Sequence, residues 1–257
     1  MKKLYFTVAA CCALIKPAVA ADLPTKTPPP PVTLWTGCYG GGNIGGVLAN
    51  ANFTWTPNPA GFPISGADLT DFGTDLLHGA GVTGGGQVGC NYQGGLLFWG
   101  AEADFGYTGV NISRNVTTPG VNAPQFEVSE SVKSDFLTTI RGRLGMVGGP
   151  NRSWIYYVTG GAAVANIQFS DQACLPLGEG GCNAASANQT KLGWTVGAGA
   201  EWAFAPRWSV KAEYLYVDLG TVTYTSTNSL PINPLATITH SHTLTENIGR
   251  IGLNWHF

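Results

Sequence analysis

The sequence predicts an all-β fold: an eight-stranded antiparallel transmembrane β-barrel with short periplasmic turns and long extracellular loops. At the C terminus Ile251, Leu253, Trp255 and Phe257 alternate with polar or small residues. Alternate side chains of a strand point to opposite faces, so one face of this segment is apolar. Charged residues make up only 11% of the chain, against about 25% in typical soluble proteins. Strand-like segments are separated alternately by short turns and long polar stretches, which is typical of outer-membrane barrels.

The N terminus has the pattern of an export signal, which we assign to residues 1–20. Lys2 and Lys3 precede an apolar stretch, and the sequence Ala18-Val19-Ala20 matches a signal cleavage site. Residues 21–34 are Pro-rich and are expected to form an extended periplasmic segment. Residues 35–257 are expected to form the barrel. After the signal, no stretch of about 18 apolar residues predicts a transmembrane helix.

Alternating patterns and turn residues predict eight strands, near 35–46, 82–92, 96–108, 132–146, 153–165, 190–204, 207–218 and 243–257. Short turns are predicted at 93–95, 148–151 and 205–206, and long loops at 47–81, 109–131, 166–189 and 219–242. The last strand is expected to pair with the first, because a bilayer offers no hydrogen-bond partner to an open sheet edge.

Aromatic and charged residues lie on opposite faces of these strands. In the third strand Trp99 and Phe105 alternate with Glu102 and Asp104. A charge that faces lipid at the bilayer centre costs about 2–4 kcal/mol, so the charges are expected to face the lumen. The predicted lumen charge network consists of Glu102, Asp104, Arg141, Arg143, Lys191, Glu201, Lys211, Glu213, Glu246 and Arg250.

This predicted network has two interpretations. It is either a salt-bridged plug that fills the interior, or the lining of a narrow path for ions. An eight-stranded barrel leaves an interior that side chains just fill, which favours the plug.

Four cysteines remain after the predicted signal, an even number in a chain bound for an oxidising compartment. Cys174 and Cys182 flank one loop segment and are predicted to form a disulfide. Cys38 and Cys90 lie where the first two strands should face each other, which predicts a cross-strand bridge, with two buried free thiols as the alternative.

No catalytic, metal or cofactor site is predicted. Two segments, 40–45 and 79–84, match the glycine spacing of a dinucleotide-binding fingerprint, but neither opens a helix after a strand. No basic stripe predicts nucleic-acid binding. His240 and His242 share a face near the outer rim, but a metal site needs more ligands than this spacing supplies. They are interpreted as loop histidines without chemistry; the alternative, with Glu246, is a surface hydrolase.

Several motifs carry a family resemblance: Trp35-Thr36-Gly37-Cys38-Tyr39, residues 86–93, residues 142–145, residues 197–201, residues 211–214 and residues 250–257. On these motifs the chain resembles the small outer-membrane β-barrel proteins of alphaproteobacteria, a porin-like surface family related to the membrane domain of outer-membrane protein A. The resemblance implies that the barrel-assembly machinery reads the terminal strand, with Leu253, Trp255 and Phe257 as the signal. Cys38 and Cys90 depart from the family, which often has aromatic residues at these positions.

The expected function is that of a monomeric bacterial outer-membrane protein with a structural and surface-interaction role, without enzyme activity. Its expected partners are outer-membrane lipid, the barrel-assembly machinery and an extracellular ligand or host protein contacted by the loops. The alternatives are a low-conductance porin, a lipid-modifying surface enzyme and a soluble ligand carrier. A carrier would bury its apolar residues inside and present polar ones outside.

Overall fold

The structure, a computed structural model, describes residues 35–62, 65–118, 125–175, 181–229 and 234–257. The predicted signal and the Pro-rich segment at 21–34 lie outside the described residues. Within the described ranges, no helix has both the length and the apolar character needed to cross a membrane.

Nine strands form one antiparallel sheet: β1 (Gly37–Pro57), β2 (Asp75–Gly94), β3 (Leu97–Thr108), β4 (Val110–Thr117), β5 (Glu127–Gly148), β6 (Trp154–Cys174), β7 (Cys182–Ala205), β8 (Trp208–Asn228) and β9 (Thr237–His256). A short helix, α1 (Gly66–Gly73), follows β1, and a 3₁₀ turn spans Pro150–Arg152. Because β3 and β4 both pair with β5 and are separated only by Gly109, they form one interrupted strand of an eight-stranded ring. The predicted barrel is therefore confirmed.

The ring closes between the first and last strands, as predicted. Antiparallel pairing of β1 with β9 runs from Tyr39 opposite His256 to Pro57 opposite Ile238. This closure pairs the two terminal strands of the sheet with each other, as a membrane-spanning sheet requires. Gly45 permits the close approach of the two strands, because a Cβ there would collide with the carbonyl oxygen of Gly249.

Half of the barrel, next to the short turns, is apolar on its outer face. Ile44, Phe105 and Ile140 are each more than 60% exposed and point outward. Aromatic pairs lie at both ends of this band: Trp154 with Trp202, and Trp194 with Tyr216, with ring centroids 5.8 and 5.4 Å apart. This outward apolar surface is the reverse of what a soluble carrier would present.

The strands are longer than predicted, and most of the segments expected to be loops are strand. β1 continues to Pro57, and β2 already begins at Asp75. In this second half of the barrel, next to the long loops, the outer face becomes polar and the inner face becomes apolar. On β8 the outward residues become Thr221, Thr223 and Thr225, while apolar side chains turn inward. An apolar outer face is therefore not a feature of these strand extensions, which is why they were predicted to be loops.

Candidate functional site

The lumen nearest the short turns holds a cluster of charged side chains contributed by five strands. Each is at most 6% exposed. We call it the ion-pair cluster; its members are Glu102, Asp104, Arg141, Arg143, Glu201, Lys211, Glu213 and Arg250. Four carboxylates thus meet four cations, so the cluster is neutral as a unit when every member is ionised.

Arg141 on β5 is the most connected member of the ion-pair cluster. Its Nη2 donates to Glu102 Oε1 at 2.6 Å and to Asp104 Oδ2 at 2.8 Å, and its Nη1 donates to Glu213 Oε1 at 3.0 Å. Arg250 on β9 bonds two of the same partners, Asp104 and Glu213, each at 2.9 Å. These bonds tie β3, β5, β8 and β9 together across the interior.

The remaining cations extend the ion-pair cluster towards the short turns. Lys211 Nζ donates to Glu102 Oε1 at 2.7 Å, and Arg143 Nη2 donates to Glu201 Oε2 at 2.8 Å. The Arg143 guanidinium also lies 4.0 Å from the centre of the Tyr157 ring, an arrangement that stabilises a buried cation. Buried charges are tolerated only when paired and hydrogen-bonded, and this geometry meets that condition.

Two predicted members of the network, Lys191 and Glu246, do not join it. Lys191 is half-buried, and its Nζ donates to the carbonyl oxygen of Thr221 at 2.8 Å. Glu246 does face the lumen and is fully buried, but within the described residues no ion pair involves it. It lies four residues before Arg250 on β9, roughly 13 Å along the strand, which places it beyond the cations.

Glu246 instead lies within a second layer of the lumen, which is apolar. This apolar layer is formed by Val47, Ala49, Ala51, Phe53, Val110, Ile112, Val132, Leu137, Ala163, Ala165, Ile167, Phe169, Leu215, Val217, Leu219, Val222, Leu244 and Ile248. The alternation of charged and aromatic residues did not predict this layer, because its inward-facing side chains are apolar.

Above the apolar layer, towards the long loops, lies a third group: Asp171 on β6 with His240 and His242 on β9. We call it the His–Asp cluster. His242 Nε2 lies 2.5 Å from Asp171 Oδ2, and His240 Nδ1 lies 3.0 Å from the same oxygen. All three side chains are fully buried. The interpretation of these histidines as loop residues on the rim is therefore corrected: they lie on a strand, inside the barrel.

Aromatic rings enclose the His–Asp cluster. The His242 ring centre is 4.4 Å from that of Phe53 and 5.0 Å from that of Phe169. Trp55 packs edge-on against His240 at 4.7 Å. Above them Phe62, Leu69, Phe126 and Ile238 belong to a further buried apolar group towards the loops.

The contacts of Asp171 favour its ionised form, and its negative charge favours the neutral forms of Tyr224 and Glu130. Burial alone would raise the pKa of Asp171, but its contacts with His240 and His242 lower that pKa below its usual value. Burial, and then the negative charge of Asp171, raise the pKa of Tyr224, whose hydroxyl donates to Asp171 Oδ2 at 2.5 Å. Burial and the same charge raise the pKa of Glu130 to about 8, although Arg114 Nη1 lies 3.4 Å from its carboxylate.

Both predicted disulfides are present. Cys38 bonds Cys90 between β1 and β2, near the short-turn end. Cys174 bonds Cys182 between β6 and β7, at the long-loop end. Each pair lies directly opposite in the strand register, as the prediction for Cys38 and Cys90 required.

The residues implied as an assembly signal lie on the outer face at the end of β9. Phe257 is 71% exposed, Leu253 is 46% exposed and Trp255 is 36% exposed. The ring centres of Trp255 and Phe257 are 4.8 Å apart, so they form one exposed aromatic surface beside the short turns.

Comparisons with known proteins agree with this architecture. A family model described as the outer membrane protein beta-barrel domain matches residues 9–257. The chain is 31% identical over 253 residues to the 31 kDa outer-membrane immunogenic protein of Brucella melitensis biotype 1, with 93% of each chain covered. It is 31% identical over 163 residues to the 22 kDa outer membrane protein of Rhizobium leguminosarum bv. viciae, covering 62% of this chain and 63% of that one.

Among solved structures, the outer membrane protein OprG of Pseudomonas aeruginosa matches with a TM-score of 0.46 and 13% identity. The match covers 86% of this chain and 97% of OprG.

Proposed function

The chain belongs to the outer membrane protein beta-barrel domain family and is located in the bacterial outer membrane; from this premise we propose that it has a structural and surface-interaction role, with a lumen closed to solutes and no catalytic activity. Its apolar outer band faces the lipid. Its long-loop end faces the outside of the cell and meets the partner.

The proposal of a closed lumen is supported by two successive layers inside the barrel, the ion-pair cluster and the apolar layer. The ion-pair cluster joins strands on opposite sides of the interior, with Arg141 bonded to Glu213 at 3.0 Å. The apolar layer follows directly along the axis, and an apolar constriction excludes ions by excluding water. An ion would have to separate buried ion pairs and then cross this dry segment.

The polar outer face of the strand extensions supports the surface role. Beyond the apolar band, β8 presents Thr221, Thr223 and Thr225 outward, and β9 presents Thr239. Hydroxyl side chains of this kind suit water or saccharide rather than lipid tails. The Brucella relative is named an immunogenic outer-membrane protein, which supports exposure of the corresponding surface here.

The proposal includes the partners that such a barrel needs. Outer-membrane lipid covers the apolar band. The barrel-assembly machinery reads the end of β9, where Trp255 and Phe257 form an exposed aromatic pair. The barrel acts as a monomer, since the first and last strands pair with each other rather than with a second copy.

Conductance in a planar lipid bilayer tests the closed lumen. The purified, refolded protein should give no steady current steps, whereas a larger porin measured in the same bilayer gives uniform ones. Uniform steps from the purified protein, retained after further purification, would favour a low-conductance porin instead. For the absence of catalysis, lipid turnover that disappears in His240→Ala or His242→Ala would overturn the proposal.

A further inference from the structure

The His–Asp cluster has a chemistry that neither a closed lumen nor a surface role uses. Two imidazoles and one carboxylate, all fully buried, present one ligand atom each within 4.8 Å of one another. Their side chains come from two strands that are not neighbours in the sheet, β6 and β9. From this arrangement we propose that Asp171, His240 and His242 bind one divalent transition-metal cation of the zinc type.

The spacing of the three ligand atoms suits such an ion. Zinc bonds of about 2.0–2.2 Å in a tetrahedral arrangement separate ligand atoms by about 3.4 Å. His242 Nε2 and His240 Nδ1 now lie 2.5 and 3.0 Å from Asp171 Oδ2. Small outward movements of the two rings bring the three ligand atoms to the spacing that the ion needs.

The imidazole rings are already held in the orientation that binding needs. His240 Nε2 lies 2.9 Å from the hydroxyl oxygen of Ser226, which leaves Nδ1 directed at Asp171. A second hydrogen bond of this kind fixes the ring and the tautomer of most histidine ligands. Phe53 and Phe169 both pack against the ring of His242, which restricts its movement.

Polar atoms in and beside the cluster lack partners, which a bound ion and its water would supply. His240 Nδ1 is close to Asp171 but is not aligned for a hydrogen bond. Asp171 Oδ1, His242 Nδ1 and Glu130 Oε1 also have no hydrogen-bond partner within the described residues. Unpaired buried polar atoms are costly, and several at one place indicate a missing partner. Glu130 lies opposite Asp171 in the strand register, so its carboxyl group is a further oxygen ligand beside the cluster.

The ligand types select the ion. Imidazole nitrogen suits zinc, copper, nickel and iron, whereas calcium and magnesium prefer sites built only from oxygen ligands. Two histidines and one carboxylate, with one position left for water, form an established zinc ligand set.

The experiment uses the untagged protein, refolded with ZnCl₂ because the site is enclosed, and freed of loose metal by gel filtration. Elemental analysis should find about one zinc per chain in the wild type. His78→Ala is the matched control, since exposed His78 lies outside the cluster and contacts Asn50. It should keep the metal, whereas His240→Ala, His242→Ala and Asp171→Asn should retain less than about a tenth as much. Refolding with MgCl₂ or CaCl₂ should leave no retained metal.

Circular dichroism establishes that each variant has folded before its metal content is compared. Wild-type protein without zinc, or cluster variants that retain as much as His78→Ala, would overturn the proposal. If a cluster variant fails to fold, the zinc content of the wild type still tests the proposal. Refolding with Co²⁺ should give the intense visible absorption of four- or five-coordinate cobalt; the weak spectrum of hydrated octahedral cobalt would contradict the assigned ligands.

Discussion

Arg141 and Glu213 meet inside the barrel although their strands, β5 and β8, are separated in the sheet by β6 and β7. Nη1 of the arginine donates to Oε1 of the glutamate at 3.0 Å, and both side chains are buried. Hydrogen bonds of the sheet join only neighbouring strands. This contact therefore fixes the cross-section of the barrel in a direction that the sheet cannot.

Arg141→Met should destabilise the barrel strongly. The substitution leaves Glu102, Asp104 and Glu213 with one fewer cation, and an uncompensated buried charge costs about 3–5 kcal/mol. The free energy of unfolding in lipid vesicles, measured with guanidinium chloride, gives the value. Arg207→Met is the matched control at an exposed turn, where a loss within about 0.5 kcal/mol is expected. Equal losses in both variants would show that the ion-pair cluster contributes nothing.

Gly45→Ala should disturb barrel closure, and Gly46→Ala should not. A Cβ on Gly45 would collide with Gly249 and come within 2.7 Å of the Cα atom of Arg250, whereas a Cβ on Gly46 has its nearest contact at 3.9 Å. Overpacking of this kind costs about 1–3 kcal/mol. Unfolding measured for both variants in the same vesicles compares them. A larger loss for Gly46→Ala would contradict the close pairing of β1 with β9 at this point.

A cysteine on the outer face of β8 should be accessible from outside the cell. Thr225→Cys introduces it at an exposed position beyond the apolar band. A bulky maleimide added to intact cells should label this variant. Arg207→Cys, at the opposite end, should be labelled only after the outer membrane is permeabilised. Labelling of Arg207→Cys alone in intact cells would mean that the barrel has the opposite orientation.

The two disulfides should stabilise the barrel unequally. Cys38 and Cys90 are 52 residues apart, while Cys174 and Cys182 are 8 apart. A bridge that closes a longer loop restricts the unfolded chain more, giving at most about 4 kcal/mol for the first and about 2.5 kcal/mol for the second. Double serine variants of each pair, unfolded under identical conditions, provide the comparison. A larger loss at the shorter loop would contradict this order.

The sequence was sufficient to predict the ring and its closure. Alternation around Trp99, Glu102 and Asp104 reflects the pleat directly, because each side chain there meets either lipid or the ion-pair cluster. The end of β9 follows the same rule.

The upper lumen was not predictable by that rule, for two physical reasons. Beyond the apolar band the outside is polar and the inside apolar, so the expected pattern is inverted. An irregularity between Ser134 and Phe136 also changes which residues of β5 face inward. If side chains alternated without interruption from Arg141, Glu130 would face outward, but it is buried in the lumen. Asp171 lies more than 60 residues before His240, and only the folded register brings them together.

The strand extensions reach well beyond the apolar, lipid-facing band. On β8, eight residues from Thr221 to Asn228 follow the break in register after Asp218. At about 3.3 Å per residue and a tilt of about 40°, they carry the end of β8 roughly 20 Å further from the lipid. Residues beyond the ends of these strands can therefore be replaced without changing the lipid-facing half of the barrel. Contact with the surroundings and anchoring in the lipid thus belong to different parts of one small chain.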